Sequence, residues 1–390
     1  MPALIKIINY TEQPKTVSKS RHIKPPVMCN QHFNPVQCII PPYISDKLTD
    51  NASKAKMPKL LNNELKNSRF RNDRAFFSKL NNQERSLLMP ATKAPKKPTL
   101  KMQVYDLKHD TVVAKGKLVW DAGGKKATKL DRDTNNVIAG GTATWKLYYE
   151  IFGRNSIDNL GLVMRHYIHY DVKYDNAFWD GRRMIYGDGD GKTFASFTAD
   201  PDIIGHELTH GVTQYEANLD YHNQSGALNE SISDVFGIMV KQRLLNQDVK
   251  KSNWLIGEKV MKGTKYALRS MKKPGKAFVN HPDFGTDPQP ATMDKFVLLP
   301  DTEDGDWGGV HINSGITNFA FYVTAFNLGG FAWEKAGKIW YGALTDTAAL
   351  KPNASFVDFK HLTISKAEQL FGPGSLEAKA VMDGWNEAKV

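Results

Sequence analysis

The run His206-Glu207-Leu208-Thr209-His210 places the strongest constraint on this chain of 390 residues. On an α-helix, residues i and i+4 project from one face, so the two imidazoles can bind a single metal ion. Zinc accepts neutral imidazole nitrogen, and it becomes catalytic when three protein ligands leave a fourth position for water. The pair Asp200-Pro201 offers an N-cap and a proline at the first helical position, so we expect the helix to begin there. A third ligand is still needed.

Glu230 is the candidate third ligand. It follows His210 after 19 intervening residues, which fits one loop and entry into a second helix. Asp234 lies one turn further on the same face, where it could accept a hydrogen bond from the far nitrogen of a ligating imidazole, and Asn229 is expected to support the ligands as well. Chance and ordinary helix charge patterning also produce the pentapeptide. The downstream pattern Asn-Glu-x-x-x-Asp is what favours a zinc site formed by His206, His210 and Glu230.

Three further stretches lie in order along the chain: Asn176-Ala177-Phe178-Trp179, Gly187-Asp188-Gly189-Asp190-Gly191, and Gly308-Gly309-Val310-His311-Ile312-Asn313-Ser314-Gly315. Together with the zinc pattern, they resemble the thermolysin family of metallopeptidases from about Val104 to the C-terminus. The run Cys38-Ile39-Ile40-Pro41-Pro42-Tyr43 further resembles the short prosegment of the protealysin-like branch. The resemblance implies an α+β fold of two lobes. A β-rich N-terminal lobe and a mostly α-helical C-terminal lobe would meet at a cleft beside the zinc helix, preceded by the prosegment.

The resemblance also implies a neutral zinc endopeptidase that is made as an autoprocessed zymogen. Glu207 would act as general base toward a zinc-bound water, which attacks the peptide carbonyl. Tyr221 and His311 would donate to the resulting oxyanion, and Asp306, five residues before His311, would hold its imidazole. Without the surrounding stretch, His311 fits a histidine satisfied within a glycine-rich loop equally well.

Substrate binding is assigned through the same resemblance. Asn176 and Arg269 match residues that bind the substrate backbone, and the alternative for Arg269 is an ordinary surface salt bridge. Phe194, Ile203 and Leu268 match the pocket for the residue after the scissile bond. Because all three are large and apolar, cleavage before Leu, Phe, Ile or Val is expected. Phe194 and Ile203 fit core positions equally well, and periodicity does not separate the two interpretations.

The sequence departs from the family at its paired calcium site. Asp202 and Glu258 keep acidic side chains there, but Lys241, Asn253 and Lys259 occupy other ligand positions. Calcium binds oxygen ligands, so lysines at such positions remove negative charge and add repulsion. We therefore expect one catalytic zinc ion as the cofactor and no calcium at this site.

The net charge of +11 belongs to the N-terminal segment. Residues 1–98 hold 18 Lys and Arg against 6 Asp and Glu, whereas the remainder holds 34 against 35. A nearly neutral main body disfavours nucleic-acid binding. A transmembrane helix is not expected, because no apolar run reaches about 18 residues. Protein and peptide substrates, with the chain's own prosegment as an intramolecular inhibitor, are the expected partners of a monomer.

Residues 1–98 have two interpretations. The resemblance makes them a removable inhibitory prosegment and linker, in which Pro41-Pro42-Tyr43 contacts the enzyme, and patterning predicts a strand over Leu4–Asn9 and a helix over Lys59–Leu88. The alternative is a flexible basic tail, which the composition of the segment also fits. Cys38 could cap the zinc as a thiolate, although a buried structural cysteine is the commoner case.

The first nine residues do not read as a signal peptide. They are apolar but interrupted by Lys6, too short for the apolar core of a signal peptide, and without a small-residue cleavage site. Secretion by a route that does not use an ordinary Sec signal peptide is expected, and retention in the cytoplasm is the alternative.

Patterning divides the main body into a β-rich lobe over residues 99–205 and an α-helical lobe over residues 206–390. The first lobe should contain four strands and one helix: Met102–Tyr105, Gly116–Trp120, Leu162–Asp171, Arg183–Gly187 and the helix Asp133–Phe152. The second lobe should contain five helices after the zinc helix: Asn229–Leu244, His311–Leu328, Trp333–Thr345, Phe356–Leu370 and Ser375–Ala388. The stretch Gly187–Gly191 lacks an acidic position and the closing Glu of an EF-hand, so it is a tight turn rather than a calcium loop.

A second function class was weighed against the peptidase. A catalytically silent zinc protein could use its basic N-terminal arm to bind an acidic partner. Glu207, Tyr221 and His311 occur together, and a silent protein has no need of the full set, so the sequence favours the enzyme.

Overall fold

The computed structural model describes residues 38–45, 47, 98–124, 129–263 and 265–390. Within this part of the chain, the first lobe is built on five strands: β1 (Met102–Asp106), β2 (Lys117–Asp121), β3 (Met164–Ile168), β4 (Ala177–Trp179) and β5 (Met184–Tyr186). Their order in the sheet is β2-β1-β3-β5-β4. The three inner strands are parallel, and β2 and β4 pair antiparallel at the two edges. This order leaves one side of β4 open for an added strand.

The structure has seven named α-helices in the described part of the chain: α1 (Arg132–Lys146), which lies between β2 and β3, α2 (Pro201–Tyr215), α3 (Asn223–Leu244), α4 (Asp306–Leu328), α5 (Ala336–Leu344), α6 (Phe356–Phe371) and α7 (Leu376–Glu387). A turn of π-helix, Leu147–Ile151, extends α1, and a short hairpin joins β6 (Leu255–Ile256) to β7 (Arg269–Ser270). The β-containing N-terminal lobe and the helical C-terminal lobe confirm the predicted α+β class.

Glycines let the central layers approach closely. A Cβ added at Gly141 of α1 would lie 2.5 Å from Sδ of Met102 on β1, and one at Gly140 would lie 2.5 Å from Cδ1 of Ile204 on α2. Real Cβ atoms do not come so near, so a larger residue at either position would require these side chains to move. A Cβ at Gly237 of α3 would lie 2.6 Å from a backbone oxygen of α2. The helices α2 and α3 are therefore held close enough to share one site.

The predicted elements of the main body are largely present, with shifted ends. The helix α3 begins six residues before the predicted start, and the edge strand β4 was not predicted. Asp200 stands at the N-cap of α2 as expected, but its side chain does not cap the helix. It accepts hydrogen bonds from Nζ of Lys241 at 3.1 Å and from the backbone N of Lys259 at 3.2 Å, because the buried ammonium attracts it. The tight turn at residues 187–191 is confirmed by positive φ at Gly189 and Gly191.

The strand predicted over Leu4–Asn9 and the helix predicted over Lys59–Leu88 lie outside the described residues, as does Cys29. None of the described helices combines the length and the hydropathy that a bilayer crossing requires.

Residues 38–40 lie against the open edge of β4. Cys38 forms an antiparallel bridge with Phe178, and the backbone N of Ile39 donates to the carbonyl oxygen of Ala177 at 3.3 Å. A helical turn at residues 42–45 follows, and Nζ of Lys47 donates to the carbonyl oxygen of Phe284 at 2.6 Å. The segment thus pairs with the open edge of the sheet through one β-bridge and then contacts the second lobe.

Candidate active site

The helices α2 and α3 bring three buried ligand atoms together. Nε2 of His206 and Nε2 of His210 are 3.0 Å apart, as the i, i+4 spacing on α2 predicts. Oε1 of Glu230 on α3 lies 3.3 Å from Nε2 of His210, and Oε2 lies 3.5 Å from Nε2 of His206. Among the described residues, these three form the one cluster of His, Cys, Asp or Glu whose ligand atoms converge tightly enough to hold a metal ion.

The hydrogen bonds of both rings show that the cluster requires a cation. Nδ1 of His206 faces Oδ1 of Asp234 at 2.8 Å, and Nδ1 of His210 faces Oδ1 of Asn229 at 3.0 Å. Each of these acceptors places the ring proton on Nδ1, so both Nε2 atoms carry lone pairs that face each other. No donor in the described part of the chain reaches Oε2 of Glu230. A metal ion that prefers nitrogen and carboxylate oxygen, as zinc does, satisfies all three groups.

Asp234 joins the metal ligands to the rest of the site. It is fully buried, and besides His206 it accepts from Nε and Nη2 of Arg269, both at 2.7 Å, and from Nδ2 of Asn318 at 2.8 Å. Burial raises the pKa of Asp234, but the charge of Arg269 and the bond from His206 outweigh it and hold the pKa below its ordinary value. Arg269 is thus a buried partner of Asp234, and its alternative interpretation as a surface salt bridge is wrong.

Glu207 lies on α2 beside the ligands and is fully buried. Its Oε2 accepts from the backbone N of Trp179 on β4 at 3.0 Å. This contact fixes the carboxylate against the strand along which residues 38–40 lie. A buried carboxylate next to the metal cluster is placed as a general base needs to be.

Tyr221 and His311 lie on the other side of the cluster. The Tyr221 hydroxyl donates to Oε1 of Glu230 and lies 3.1 Å from Nε2 of His311. Asp306 accepts from Nδ1 of His311 at 2.6 Å and from its backbone N at 2.8 Å. Burial lowers the pKa of His311, but the charges of Glu230 and Asp306 outweigh it and raise the pKa to about 9. Asp306 therefore fixes the orientation of the ring, with Nε2 turned toward Tyr221.

An unusual backbone turn places Asp306 beneath this imidazole. Asp306, Trp307, Gly308 and Gly309 all have positive φ, between 51° and 84°, before α4 continues with right-handed geometry. A left-handed turn of this kind costs free energy at the two residues that are not glycine. The right-handed helix begins after Gly309, close to the predicted start at His311, because residues 306–309 are outside its geometry.

The predicted substrate-binding residues contact residues 38–40. Oδ1 of Asn176 accepts from the backbone N of Ile40 at 3.2 Å, and Nη1 of Arg269 donates to the carbonyl oxygen of Ile39 at 3.1 Å. Nε2 of His311 donates to the carbonyl oxygen of Cys38 at 3.0 Å. Cys38 is itself buried in an apolar cluster with residues such as Phe178.

Phe194, Ile203 and Leu268 are all fully buried. A Cβ at Gly257 would lie 2.7 Å from Cδ1 of Leu268 and 3.3 Å from Cδ1 of Ile203, so these two side chains are neighbours. All three belong to the hydrophobic cluster that includes Ile39 and Ile40. The wall of a pocket and the core are therefore one continuous apolar cluster here.

The residues expected at a calcium site surround an ammonium group. Nζ of Lys241 lies 3.1 Å from Oδ2 of Asp200, 2.9 Å from Oδ2 of Asp202 and 3.3 Å from Oε1 of Glu258. Burial lowers the pKa of Lys241, but Asp202 and Asp200 outweigh it and raise the pKa above its ordinary value. A permanent cation of the chain's own therefore lies among these carboxylates.

Sequence reasoning missed several members of the site. The backbone N of Trp179 and the carbonyl oxygen of Ala177 carry no side-chain signal. Ser233, whose Oγ lies 2.9 Å from Nδ1 of His210, follows Asn229 by one helical turn. Asn318 follows His311 by seven residues, or two turns of one helix face, and that spacing could have identified it.

Comparison with known proteins agrees with this geometry. The family model described as "Thermolysin metallopeptidase, catalytic domain" matches residues 72–214, and the model described as "Thermolysin metallopeptidase, alpha-helical domain" matches residues 217–390. Protease PrtS of Photorhabdus sp. (strain Az29) is 45% identical over 299 residues, which are 75% of this chain and 77% of that protein. An extracellular metalloprotease of Pectobacterium carotovorum subsp. carotovorum is 47% identical over 249 residues, which are 63% and 70% of the two chains.

A solved structure shares the fold over most of the chain. The precursor of protealysin, a metalloproteinase from Serratia proteamaculans, superposes with a TM-score of 0.75 at 38% sequence identity. The match covers 91% of this chain and 99% of the precursor. The chain therefore belongs to the thermolysin family of metallopeptidases and is a protealysin-like metalloendopeptidase.

Proposed function

We propose that this chain is made as a zymogen. Once activated, it cleaves peptide bonds before large hydrophobic residues, with Glu207 as its general base. Enzymes of the thermolysin family depend on zinc, and the His-His-Glu cluster of that family is present here. The observation that carries the proposal is the convergence of Glu207, Tyr221 and His311 on the space beside His206, His210 and Glu230. A zinc ion held there supplies Lewis acidity at neutral pH.

Residues of the chain carry out the proton transfer, the oxyanion stabilisation and the positioning of the substrate. Glu207 takes the proton of the attacking water and returns it to the departing amine. Tyr221 and His311 donate to the carbonyl oxygen as negative charge develops on it, and Asp306 keeps the His311 ring in place. Asn176 and Arg269 bind backbone groups of the substrate and so set the position of the scissile bond.

The N-terminal segment acts as an intramolecular inhibitor in this proposal. Residues 38–40 contact Asn176, Arg269 and His311, which are the groups that would bind a substrate backbone. A peptide substrate cannot use the same donors and acceptors while this segment is in place. Activation therefore requires removal of the segment, and the likeness to a precursor structure supports a zymogen.

Specificity and location follow from further observations. Phe194, Ile203 and Leu268 belong to the same apolar cluster as Ile39, which supports a pocket for Leu, Phe, Ile or Val after the scissile bond. An extracellular metalloprotease among the relatives supports secretion of the product. Calcium should not bind the carboxylates around Lys241, because the ammonium already lies among them and repels a second cation.

Casein hydrolysis tests the proposed reaction. The wild-type chain should clear casein, lose activity to a zinc chelator, and regain it when zinc is added back. Glu207→Gln should lower kcat by at least about 10²-fold, because general-base catalysis contributes that much, while still binding zinc. Glu334→Gln, which changes an exposed carboxylate far from the ligands, is the matched control. Equal clearing by Glu207→Gln and the wild type would refute the proposal.

A further inference from the structure

The backbone of residues 38–40 enters the site in one defined register. Cys38 pairs antiparallel with Phe178 on β4, and Ile39 donates to the carbonyl oxygen of Ala177. The backbone N of Ile40 donates to Asn176, and the carbonyl oxygen of Ile39 accepts from Arg269. Both hydrogen bonds hold the same register. Because a strand has a fixed repeat, these contacts decide which peptide bond lies beside the catalytic groups.

Only one carbonyl of this segment meets the groups assigned to oxyanion stabilisation. The carbonyl oxygen of Cys38 accepts from Nε2 of His311 at 3.0 Å, and that nitrogen lies 3.1 Å from the Tyr221 hydroxyl and 3.6 Å from Oε2 of Glu230. The carbonyl oxygen of Ile39 points to Arg269, whose guanidinium is fixed on Asp234. The carbonyl of Cys38 is therefore the one placed at the metal cluster.

The general base lies beside the same bond. Glu207 accepts from the backbone N of Trp179, the residue that follows Phe178, and Phe178 is the bridge partner of Cys38. The base, the oxyanion donors and the metal ligands thus surround one peptide group. An inhibitory segment that merely filled the cleft would not need its carbonyl on His311.

We propose that the Cys38–Ile39 peptide bond is itself a cleavage site of the enzyme, bound in the register of a substrate. This inference rests on the proposed function. Hydrolysis adds one water across the bond: the water oxygen joins the carbonyl carbon of Cys38, the C–N bond breaks, and the nitrogen of Ile39 takes the proton. The products are a peptide that ends in the Cys38 carboxylate and a chain that begins with the Ile39 amine.

The contacts also explain how such a bond can belong to an inhibitor. Most contacts among the described residues lie on the Ile39 side of the bond, with Asn176, Arg269 and the carbonyl oxygen of Phe284. These contacts hold residues 39–47 in the cleft without depending on the Cys38–Ile39 bond, so the chain that begins at Ile39 stays there after cleavage. This first cut therefore leaves the enzyme inhibited until a second cut, downstream, releases the rest of the segment.

Intact-mass spectrometry tests the site directly. The full-length chain is purified with a reversible chelator, zinc is added, and samples are quenched over time. We expect a product that ends at Cys38 and its complement that begins at Ile39, formed at a rate independent of dilution because the bond is presented within one molecule. Glu207→Gln should form neither product.

Two variants of the segment sharpen the test. Ile39→Pro removes the N–H that bonds Ala177 and should slow the cut at least about tenfold, the cost of one lost hydrogen bond in the bound register. Ser45→Ala, in the following turn, should cleave at the wild-type rate. Casein hydrolysis with no cut at Cys38–Ile39, or cuts only at other bonds, overturns this inference and leaves the proposed function intact. Loss of both activities refutes the proposed function instead.

Discussion

Asp234 is the residue through which the parts of the site are joined. It receives hydrogen bonds from a zinc ligand, from an arginine that also binds backbone, and from Asn318 on the helix that carries His311. A buried carboxylate that is fully paired holds its ligand ring in one orientation. Arg269 and Asn318 should therefore affect metal binding without contacting the metal.

Replacing Asn318 by Leu should weaken zinc binding. The change removes a donor from a buried carboxylate, and partners of this kind typically contribute about tenfold or more to metal affinity. The loss of stability should be about 1–3 kcal/mol. Competition with a zinc-chelating dye measures the affinity, and Thr317→Ala, the adjacent buried position on α4, is the control. An unchanged zinc affinity in Asn318→Leu would argue against a role for this residue.

At the scale of residues, the sequence was sufficient to predict the side chains whose positions depend on helix periodicity. His206 and His210 lie one turn apart on one helix, as do Glu230 and Asp234 on the next, and the structure brings these residues and Asn229 together. Contacts between distant elements were not accessible in this way. The pairing of Arg269 with Asp234, and of Glu207 with a backbone amide of β4, depend on how the lobes fold and not on local spacing.

The start of α2 depends on a charge cluster that joins three elements. Lys241 on α3 binds the carboxylates of Asp200 and Asp202 at the start of α2, and the carbonyl oxygen of Leu255 on β6. These contacts hold the first turn of the helix that carries both zinc-binding histidines. The ammonium thus takes the place of a bound cation in fixing α2 against α3.

Lys241→Met should destabilise the protein strongly. The change leaves buried carboxylates without their cation, and breaking a buried ion pair from one side costs about 3–5 kcal/mol. Urea unfolding measures the loss, with the exposed Lys379→Met on α7 as the control. In the wild type, neither calcium nor a calcium-selective chelator should move the Tm. A Tm that rises with calcium would contradict our proposal for this cluster.

His169 gives the first lobe a pH-dependent contact. It follows β3 with φ of +55°, and its Nδ1 bonds Oδ1 of Asp188 at 2.8 Å while Nε2 lies 3.5 Å from Oδ2 of Asp131, the N-cap of α1. The bond to Asp188 raises the pKa of His169 to about 9, against the opposing effect of burial. The folded state therefore binds this proton more tightly than the unfolded state.

Stability should decline as this proton is lost. Because the folded pKa is raised, the contribution is fully present below about pH 6.5, the unfolded pKa, and disappears as pH rises through about 9. Partial exposure to solvent limits it to about 1 kcal/mol or less. His169→Gln should flatten the dependence of Tm on pH in this window, whereas His361→Gln, exposed on α6, should not. The same slope in wild type and His169→Gln would exclude this contact as its source.

The elements themselves were partly predictable. Long amphipathic segments such as α4 and α6 were found within a few residues, because packing enforces their period. The strand β4 has three residues, all buried, so it shows no alternation. The first turn of α3 is polar, and the left-handed turn before His311 is set by tertiary contacts, so periodicity did not reveal either feature.

For the whole molecule, the site depends on the assembly of both lobes. The second lobe supplies Arg269 and His311, the first supplies Asn176 and the edge of β4, and α2 and α3 supply the metal ligands between them. The family resemblance predicted which parts of the chain supply these residues. The sequence pattern alone predicted only a β-rich half and an α-rich half. The contacts of residues 38–47 could not be derived from the sequence, because nothing in their pattern specifies which edge they join.

Zinc should stabilise the whole chain because its ligands lie on two helices. An ion that binds only the folded state adds RT ln(1 + [Zn]/Kd), or about 2.7 kcal/mol when free zinc is 100 times Kd. The Tm of the chain should therefore rise with buffered free zinc and fall with chelation. The Tm of His210→Ala should respond far less, and a wild-type Tm that ignores zinc would show that the cluster does not bind it.

The central claim is that His206, His210 and Glu230 bind one zinc ion with an open position beside Glu207. Anomalous scattering from a crystal of the zinc-loaded protein, measured on both sides of the zinc absorption edge, locates the ion directly. We predict a single strong peak within bonding distance of both Nε2 atoms and the Glu230 carboxylate, with no protein atom between the ion and Glu207. A zinc peak elsewhere, or none at these three residues, would contradict the claim.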